Sequence, residues 1–377
     1  MIETDVLIIG GGPAGLEAGK TIALENLNVV ILNKNFKNKQ TQLVYKSGLE
    51  DLDLFVGNSL LNEVQELAMV SPNKNKVTLS NDNINSSEKG YLIDSEKFIQ
   101  KLKKETIDLG CEIKNETKAV SLEKTKEGYK VKCQSNDTDY EINCKILIIA
   151  DGYPSNVSKA FNIKSPSKYA NICQCLVNGI DMDKIEFHFG SISPNGYIWI
   201  YPLKDSKVEV GISIEGDGHK KYLLKFINSY FNLNLKDIDV VEAKVPISGV
   251  INNPIRDNIL VCGDAAGQYN PFIGGGIISS IKGARYTGKV AAGAIKNNDC
   301  SRDFLKRYRK LVMDDFGEDF NKLVKVRNYA FSLNDKEIDS IAISFEGVSF
   351  YNMNLLDVLK RLVSISPKAI LKLGKLL

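Results

Sequence analysis

The chain has 377 residues, long enough for two or three domains with a sizeable core, and its net charge of +3 argues against a nucleic-acid binder driven by electrostatics. No basic N-terminal region with a cleavage site is present, and the first apolar run is too short to span a bilayer, so a cytoplasmic protein is expected. Seven cysteines are scattered without a CxxC pair or a C-x₂-C-x₂-C run, which argues against a zinc ribbon, a redox-active dithiol and an iron–sulfur cluster of that type, and no metal site is expected.

The apolar strand Val6–Ile9 runs into Gly10-Gly11-Gly12-Pro13-Ala14-Gly15 and then a helix, with a second strand at Val29–Leu32. Gly10 permits a tight turn, Gly12 lets backbone approach a phosphate, and Gly15 lets the helix pack close to the strand. The helix start offers free N–H groups and a positive dipole end, so this spacing predicts a dinucleotide pyrophosphate at the start of the chain. A strand is predicted at Lys76–Leu79 and a helix at Ser95–Leu109, whose apolar residues Phe98, Ile99, Leu102 and Ile107 have near-helical spacing. Alternating runs at Ala119–Glu123, Tyr129–Gln134 and Tyr140–Cys144, parted by turn residues, predict a β-meander. The fully apolar Ile146–Ile149 reads as a separate buried parallel strand ending at Ala150-Asp151-Gly152.

Beyond this point the pattern changes to antiparallel β, with strands expected near Ile185–Phe189, Tyr197–Tyr201 and Val208–Ile214. Cys173 and Cys175 share a strand face and are expected to be buried. A buried strand at Ile259–Cys262 leads into Gly263-Asp264-Ala265-Ala266-Gly267, and a small-residue helix follows over about 276–294. Residues 301–377 read as largely helical. The chain is thus α/β (α+β): a Rossmann-like domain, an antiparallel-sheet substrate domain and a helical C-terminal region. The expected boundaries are 1–70, 95–155 and 246–300 for the first, 71–94 and 156–245 for the second, and 301–377 for the third.

Three signals in chain order, GGGPAG at 10–15, ADG at 150–152 and GDAAGQYNPFIGGGI at 263–277, together resemble FAD-dependent enzymes of the p-hydroxybenzoate hydroxylase fold. The segment Tyr197-Ile198-Trp199-Ile200-Tyr201-Pro202, followed after eight residues by Gly211-Ile212-Ser213, is similar to the aromatic motif of the geranylgeranyl reductase family. On a strand Tyr197, Trp199 and Tyr201 project from one face, a wall suited to a flat flavin and a long isoprenoid; a plain stripe of core aromatics is the alternative. The resemblance implies FAD as cofactor, with Gly10, Gly12, Ala14, Gly15, Asn33, Ser47, Gly48, Ser95, Ala119, Asp151, Gly263, Asp264, Gly275, Gly276 and Ile277 around it. Asp264 would accept from ribitol hydroxyls, and the 271–276 loop would turn N–H groups at the next helix start toward the ring. Tyr197, Trp199, Tyr201, Pro202 and Gly211 would line the substrate pocket.

The chain departs from the family pattern in three places. Asn33 stands where an acid usually takes the adenosine ribose, Ser47-Gly48 where Cys-Gly lies beside the flavin, and Ser95 where an arginine is frequent. A neutral acceptor at 33 is weaker than a charged one.

The resemblance implies reduction of isolated C=C bonds in geranylgeranyl chains, notably of archaeal membrane lipids, with hydride from flavin N5 to one carbon and a proton to the other. No proton donor stands out: His188 and His219 are the only histidines, and His188, sharing a face with Glu186, reads as structural. Without a second GxGxxG, the reductant is external, NAD(P)H or a ferredoxin-like protein. The run Leu355–Leu377 sets five cations against the single acid Asp357. It reads either as an amphipathic surface helix drawn to anionic lipid on the inner face of the membrane, or as a packed helix with a solvated basic face. Three rivals stand beside the reductase: an aromatic monooxygenase of the same fold, which often carries His where this chain has Gly267; a flavin electron carrier; and a non-catalytic lipid-binding homologue.

Overall fold

The computed structural model describes residues 2–34, 40–79, 89–136, 138–346 and 348. The elements begin with β1 (Ile2–Ile9), α1 (Pro13–Ala23), β2 (Val29–Asn33), β3 (Thr41–Tyr45), α2 (Lys46–Glu50), β4 (Leu60–Val64), β5 (Leu67–Val70), β6 (Lys76–Leu79) and β7 (Gly90–Asp94). There follow α3 (Ser95–Asp108), β8 (Glu112–Asn115), β9 (Lys118–Lys124), β10 (Tyr129–Gln134), β11 (Asp139–Ile149), α4 (Asn156–Ala160), β12 (Tyr169–Asn178), β13 (Ile185–His188), β14 (Tyr197–Leu203) and β15 (Lys207–Ile214). The chain continues through α5 (His219–Tyr230), β16 (Val241–Pro246), β17 (Ile255–Arg256), β18 (Ile259–Val261), α6 (Ile277–Lys296), α7 (Arg302–Val312), α8 (Glu318–Ala330) and α9 (Asp335–Phe345).

The chain divides into two compact units. The first comprises residues 1–38, 96–168 and 245–323. Its main sheet runs β17-β18-β11-β1-β2-β8, with β10 and β9 added through β11. The central strands are near-continuous Val, Ile and Leu because both of their faces are covered, as parallel sheets require. Ile8 pairs with Ile148 on one side and Ile31 on the other, all fully buried. The expected meander strand and the buried strand after it are one element, β11. Its first half pairs antiparallel with β10 and its second half parallel with β18, so one strand changes partner without a turn.

The second unit comprises residues 39–95, 169–244 and 324 onward. A seven-stranded sheet runs β16-β12-β15-β14-β13-β5-β6, beside a three-stranded one ordered β3-β7-β4. One face of the large sheet packs on α5: Cys173, Cys175, Ile198, Ile200, Val210 and Ile212 join Leu223, Phe226 and Ile227 in a single apolar cluster. The buried network on β13 is structural: Glu186 accepts from Lys76, His188 and the Tyr230 hydroxyl at 2.7, 2.9 and 2.6 Å, which holds its carboxyl down at about 2.

This division differs from the expected boundaries. Residues 39–70 join the second unit, because β3 and β4 both pair with β7 and β5 pairs with β13. Residues 156–168 join the first, where Val157 and Ile163 enter the core beside Ile149. The C-terminal helices are no region of their own. Tyr308 on α7 donates to the Val261 carbonyl at 2.7 Å in the first unit, whereas Asp335 and Asp339 on α9 accept from Ser191 and Ser71 in the second. The basic run Leu355–Leu377 lies outside the described residues. Among the described residues no helix is long and apolar enough to cross a membrane.

Candidate functional site

In the first unit, β1 turns into α1 through Gly10, whose φ of 118° is open to glycine; a Cβ there would lie 2.1 Å from the Ala150 carbonyl oxygen. A Cβ on Gly15 would lie 1.8 Å from the Gly10 oxygen, so only glycine lets α1 approach the turn. Gly12 differs: a Cβ there would meet nothing within 4 Å, and as N-cap it gives α1 no side-chain bond. The helix start therefore keeps its orphan donors beside open space, the arrangement an anion occupies.

Asn33 ends β2 and is buried, with Cγ 2.9 Å from the position of a Gly11 Cβ. Its Nδ2 is buried without a protein partner. Ala119, half-buried on β9, follows Thr117, whose N–H donates to the Asn33 carbonyl at 3.1 Å. Asp151 has both carboxylate oxygens engaged by the protein: Oδ1 takes the Ser155 hydroxyl at 2.6 Å and Oδ2 the Val157 N–H at 3.2 Å, so its carboxylate holds the turn into α4.

The 263–267 turn packs on α1 by small residues, since a Cβ on Gly263 (φ 68°) would lie 2.8 Å from the Ala14 Cβ. Asp264 receives a long bond from Ser280 Oγ at 3.4 Å, and loss of hydration pushes its carboxyl up to about 6. Gly274 and Gly275 take φ of 78° and 89°, and space around a Gly275 Cβ is open. Gly276 caps α6, which starts at Ile277, and offers no side-chain bond. Two open glycine turns at uncapped helix starts, an orphaned Asn33 amide and an under-bonded Asp264 together fit a large anionic dinucleotide with hydroxyls to satisfy.

Gln268 was missed by the sequence reading. Its Oε1 accepts from Gly263 N–H at 2.7 Å and its Nε2 donates to Tyr308 at 2.7 Å, so it fixes the turn that carries Asp264. Gly283 makes room for it, a Cβ there lying 2.1 Å from Gln268 Oε1. No local pattern announces this residue.

The remaining expected cofactor residues fall in the second unit. Ser47 is exposed and Gly48 half-buried on the short helix α2, and Lys46 pairs with Glu50 at 3.1 Å along the same helix. Ser95 is buried, accepting from Gln40 N–H at 3.2 Å through Oγ.

The aromatic motif forms β14. Ile198 and Ile200 enter the α5 cluster, while Tyr197, Trp199 and Tyr201 form a row on the other face, with ring centroids 6.0 and 6.1 Å apart. Phe187 meets Tyr197 and Tyr201 edge-on at 5.7 and 6.4 Å. Trp199 packs over Gly211, where a Cβ would come 2.1 Å from Cζ2; glycine is there to admit the indole. Pro202 follows in β14, its carbonyl accepting from Asn62 Nδ2 at 2.9 Å. The same face holds three buried polar atoms without partners: Trp199 Nε1, Gln174 Nε2 and Glu209 Oε1.

Residues 3–211 match the FAD binding domain family. The chain is 34% identical, over the whole of both chains, to digeranylgeranylglycerophospholipid reductase 2 of Methanosphaera stadtmanae. It is 33% identical to digeranylgeranylglycerophospholipid reductase 1 of Methanothermobacter thermautotrophicus, covering 99% of this chain and 98% of that one. Among solved structures, a geranylgeranyl bacteriochlorophyll reductase-like protein of Thermoplasma acidophilum superposes with a TM-score of 0.91 at 25% identity, with both chains fully covered. The cofactor is FAD. The chain is an FAD-dependent oxidoreductase that belongs to the digeranylgeranylglycerophospholipid reductase family.

Proposed function

We propose that the protein saturates C=C bonds of geranylgeranyl chains in a digeranylgeranylglycerophospholipid. The observation that carries this reading is the aromatic row on β14, seated over Gly211 and rimmed by Phe187, which offers an apolar wall of mutually tilted rings about 6 Å apart. An unactivated alkene in such a wall is bound by shape and dispersion, so positioning in a dry pocket supplies much of the rate. FAD, when bound and reduced, supplies the hydride; its own reductant is external.

Gly10, Gly12 and Gly15 leave the α1 start open to the pyrophosphate, Asn33 takes a ribose hydroxyl, and Asp264 takes ribitol hydroxyls. Ala14 packs against Gly263, and Gly275, Gly276 and Ile277 present the α6 start to the flavin ring. Ala119 supports the Asn33 end of the adenosine site. Asp151 acts indirectly, by fixing the chain that leaves β11, and Ser47, Gly48 and Ser95 are carried by the second unit's β3–α2 and β7–α3 corners. Pro202 and Gly211 shape the wall. The lipid is met at the membrane surface, with a basic C-terminal segment as the attraction to anionic headgroups.

Incubating the purified protein with FAD, dithionite and the unsaturated lipid tests the reading. Lipid that gains two hydrogens per double bond supports it, and lipid of unchanged mass with FAD bound contradicts it.

A further inference from the structure

The Trp199 face of the large sheet in the second unit carries a buried carboxyl group, that of Glu209. Strand pairing sets Tyr201 opposite Glu209 and Trp199 opposite Gly211, and on the other side Leu176 opposite Glu209 and Gln174 opposite Gly211. Opposed residues share a face, so Glu209 stands in the same patch as the aromatic row. Glu209 is 6% exposed, Gln174 3% and Trp199 6%. One oxygen of Glu209 is held: Oε2 accepts from the Thr41 hydroxyl at 2.9 Å and from the Thr41 N–H at 3.3 Å. The other, Oε1, is buried with no protein partner. A buried acid with one fixed oxygen and one idle oxygen, beside two idle N–H donors, is costly unless a ligand or a reaction uses it.

We propose that Glu209 is the proton donor of the reduction, with Thr41 as the residue that positions it. The proposal rests on the reading that the aromatic face takes the isoprenoid. Saturating one double bond needs a hydride and a proton. FAD, which Gly10, Gly12, Asn33 and Asp264 would hold, would supply the hydride and its electron pair for one alkene carbon once reduced by an external two-electron donor. The O–H bond of the Glu209 carboxyl breaks, its proton forms the C–H bond at the neighbouring carbon, and the carboxylate left behind is reprotonated by water.

The electrostatics suit the role. Burial pushes the Glu209 carboxyl up to about 7, against the two Thr41 bonds that favour the charged form. Around it, β14 contributes Tyr201 as a titratable neighbour, β12 contributes Gln174 and Leu176, β3 contributes Thr41, and β15 carries Lys207 two residues along the same face. The acid is therefore protonated below neutrality and ready to give that proton up.

The test compares wild type, Glu209→Gln and Thr41→Val. Anaerobic single-turnover reduction of the lipid is followed across neutral pH, and the carboxylic-acid carbonyl band is followed by infrared difference spectroscopy. Glu209→Gln keeps the shape and can still accept from Thr41. It is expected to bind FAD as wild type does and to lose on the order of 10²-fold or more in rate. Wild type should slow above about pH 7, in step with loss of an infrared acid band that Glu209→Gln lacks. Thr41→Val removes a bond to the charged form, so both the rate limb and the band should move to higher pH. Glu209→Gln with wild-type rate and pH profile overturns the proposal. So does a slow variant whose FAD affinity has fallen in proportion, which would make Glu209 a cofactor contact. Wild type that reoxidises no flavin with lipid overturns the functional reading and the proposal together.

Discussion

At the scale of single residues, the cofactor site is built more from absences than from side chains. Gly10, Gly15 and Gly263 are forced by neighbouring atoms within 3 Å of where a Cβ would stand, whereas Gly12 and Gly275 face open space. That distinction predicts different outcomes for the same substitution. Gly15→Ala disrupts α1 packing and lowers stability, as overpacking by a methyl usually does by about 1–3 kcal/mol. Gly12→Ala leaves the melting temperature near wild type but weakens FAD binding, which isothermal titration on refolded apoprotein would show. Asn33 tests the ribose contact. A carboxylate acceptor exceeds a neutral one by roughly 1 kcal/mol, so Asn33→Asp is expected to tighten FAD about fivefold; an unchanged Kd would remove Asn33 from the site.

Glu209 adds a stability prediction with a definite sign. Its folded-state pKa, about 7, lies above the ordinary glutamate value of 4.5. The folded form therefore holds a proton that the unfolded chain releases, and wild type loses stability as pH rises through that window. The full shift corresponds to about 3 kcal/mol. Glu209→Gln, which does not titrate, should gain on wild type between those two pH values and keep the advantage above them. Denaturant midpoints across that range would check it, and parallel curves would show that Glu209 is not buried as described.

At the scale of elements, strands with a strong apolar pattern were legible and polar ones were not. Lys76–Leu79 and the 197–201 row could be read to within two residues, and Val6–Ile9 as the second half of β1, because alternation or continuous Val and Ile leaves few options. β3, β4 and β7 were passed over, and of β12 only the shared face of Cys173 and Cys175 was read, since mixed polar sequence becomes a strand through pairing with distant partners such as Thr41 with Asp94. The split of β11 into two strands had the same origin: its polar first half resembles a meander strand, and only its change of partner shows that it continues. Glu209 was within reach of the sequence, because the hairpin joining β14 and β15 sets it opposite Tyr201 on the aromatic face. Gln268 was not, since its role depends on Gly263, Tyr308 and Gly283 converging from three elements. One prediction belongs here. Gly211→Val must displace the Trp199 indole, so it should abolish lipid turnover while FAD, held chiefly by the first unit's turns, is retained; turnover at the wild-type rate would show that the indole is not part of the substrate wall.

At the scale of the whole molecule, the two units divide the chemistry. The first carries the paired glycine turns for a dinucleotide, and the second carries the aromatic face and Glu209. Motif order made the fold and FAD legible, because three signals at fixed places in the chain are hard to assemble otherwise. Domain boundaries were less legible, since the chain crosses between units several times and the C-terminal helices serve both. The loss of the usual acid, cysteine and arginine at positions 33, 47 and 95 leaves turnover as the decisive question.

The most direct measurement is therefore anaerobic. The FAD-loaded protein is reduced stoichiometrically, excess reductant is removed, digeranylgeranylglycerophospholipid is added, and flavin absorbance is recorded together with lipid mass. One flavin reoxidised for each double bond that gains two hydrogens is the predicted result. Flavin that stays reduced beside unchanged lipid would contradict the account, leaving an FAD protein whose aromatic face serves some other ligand.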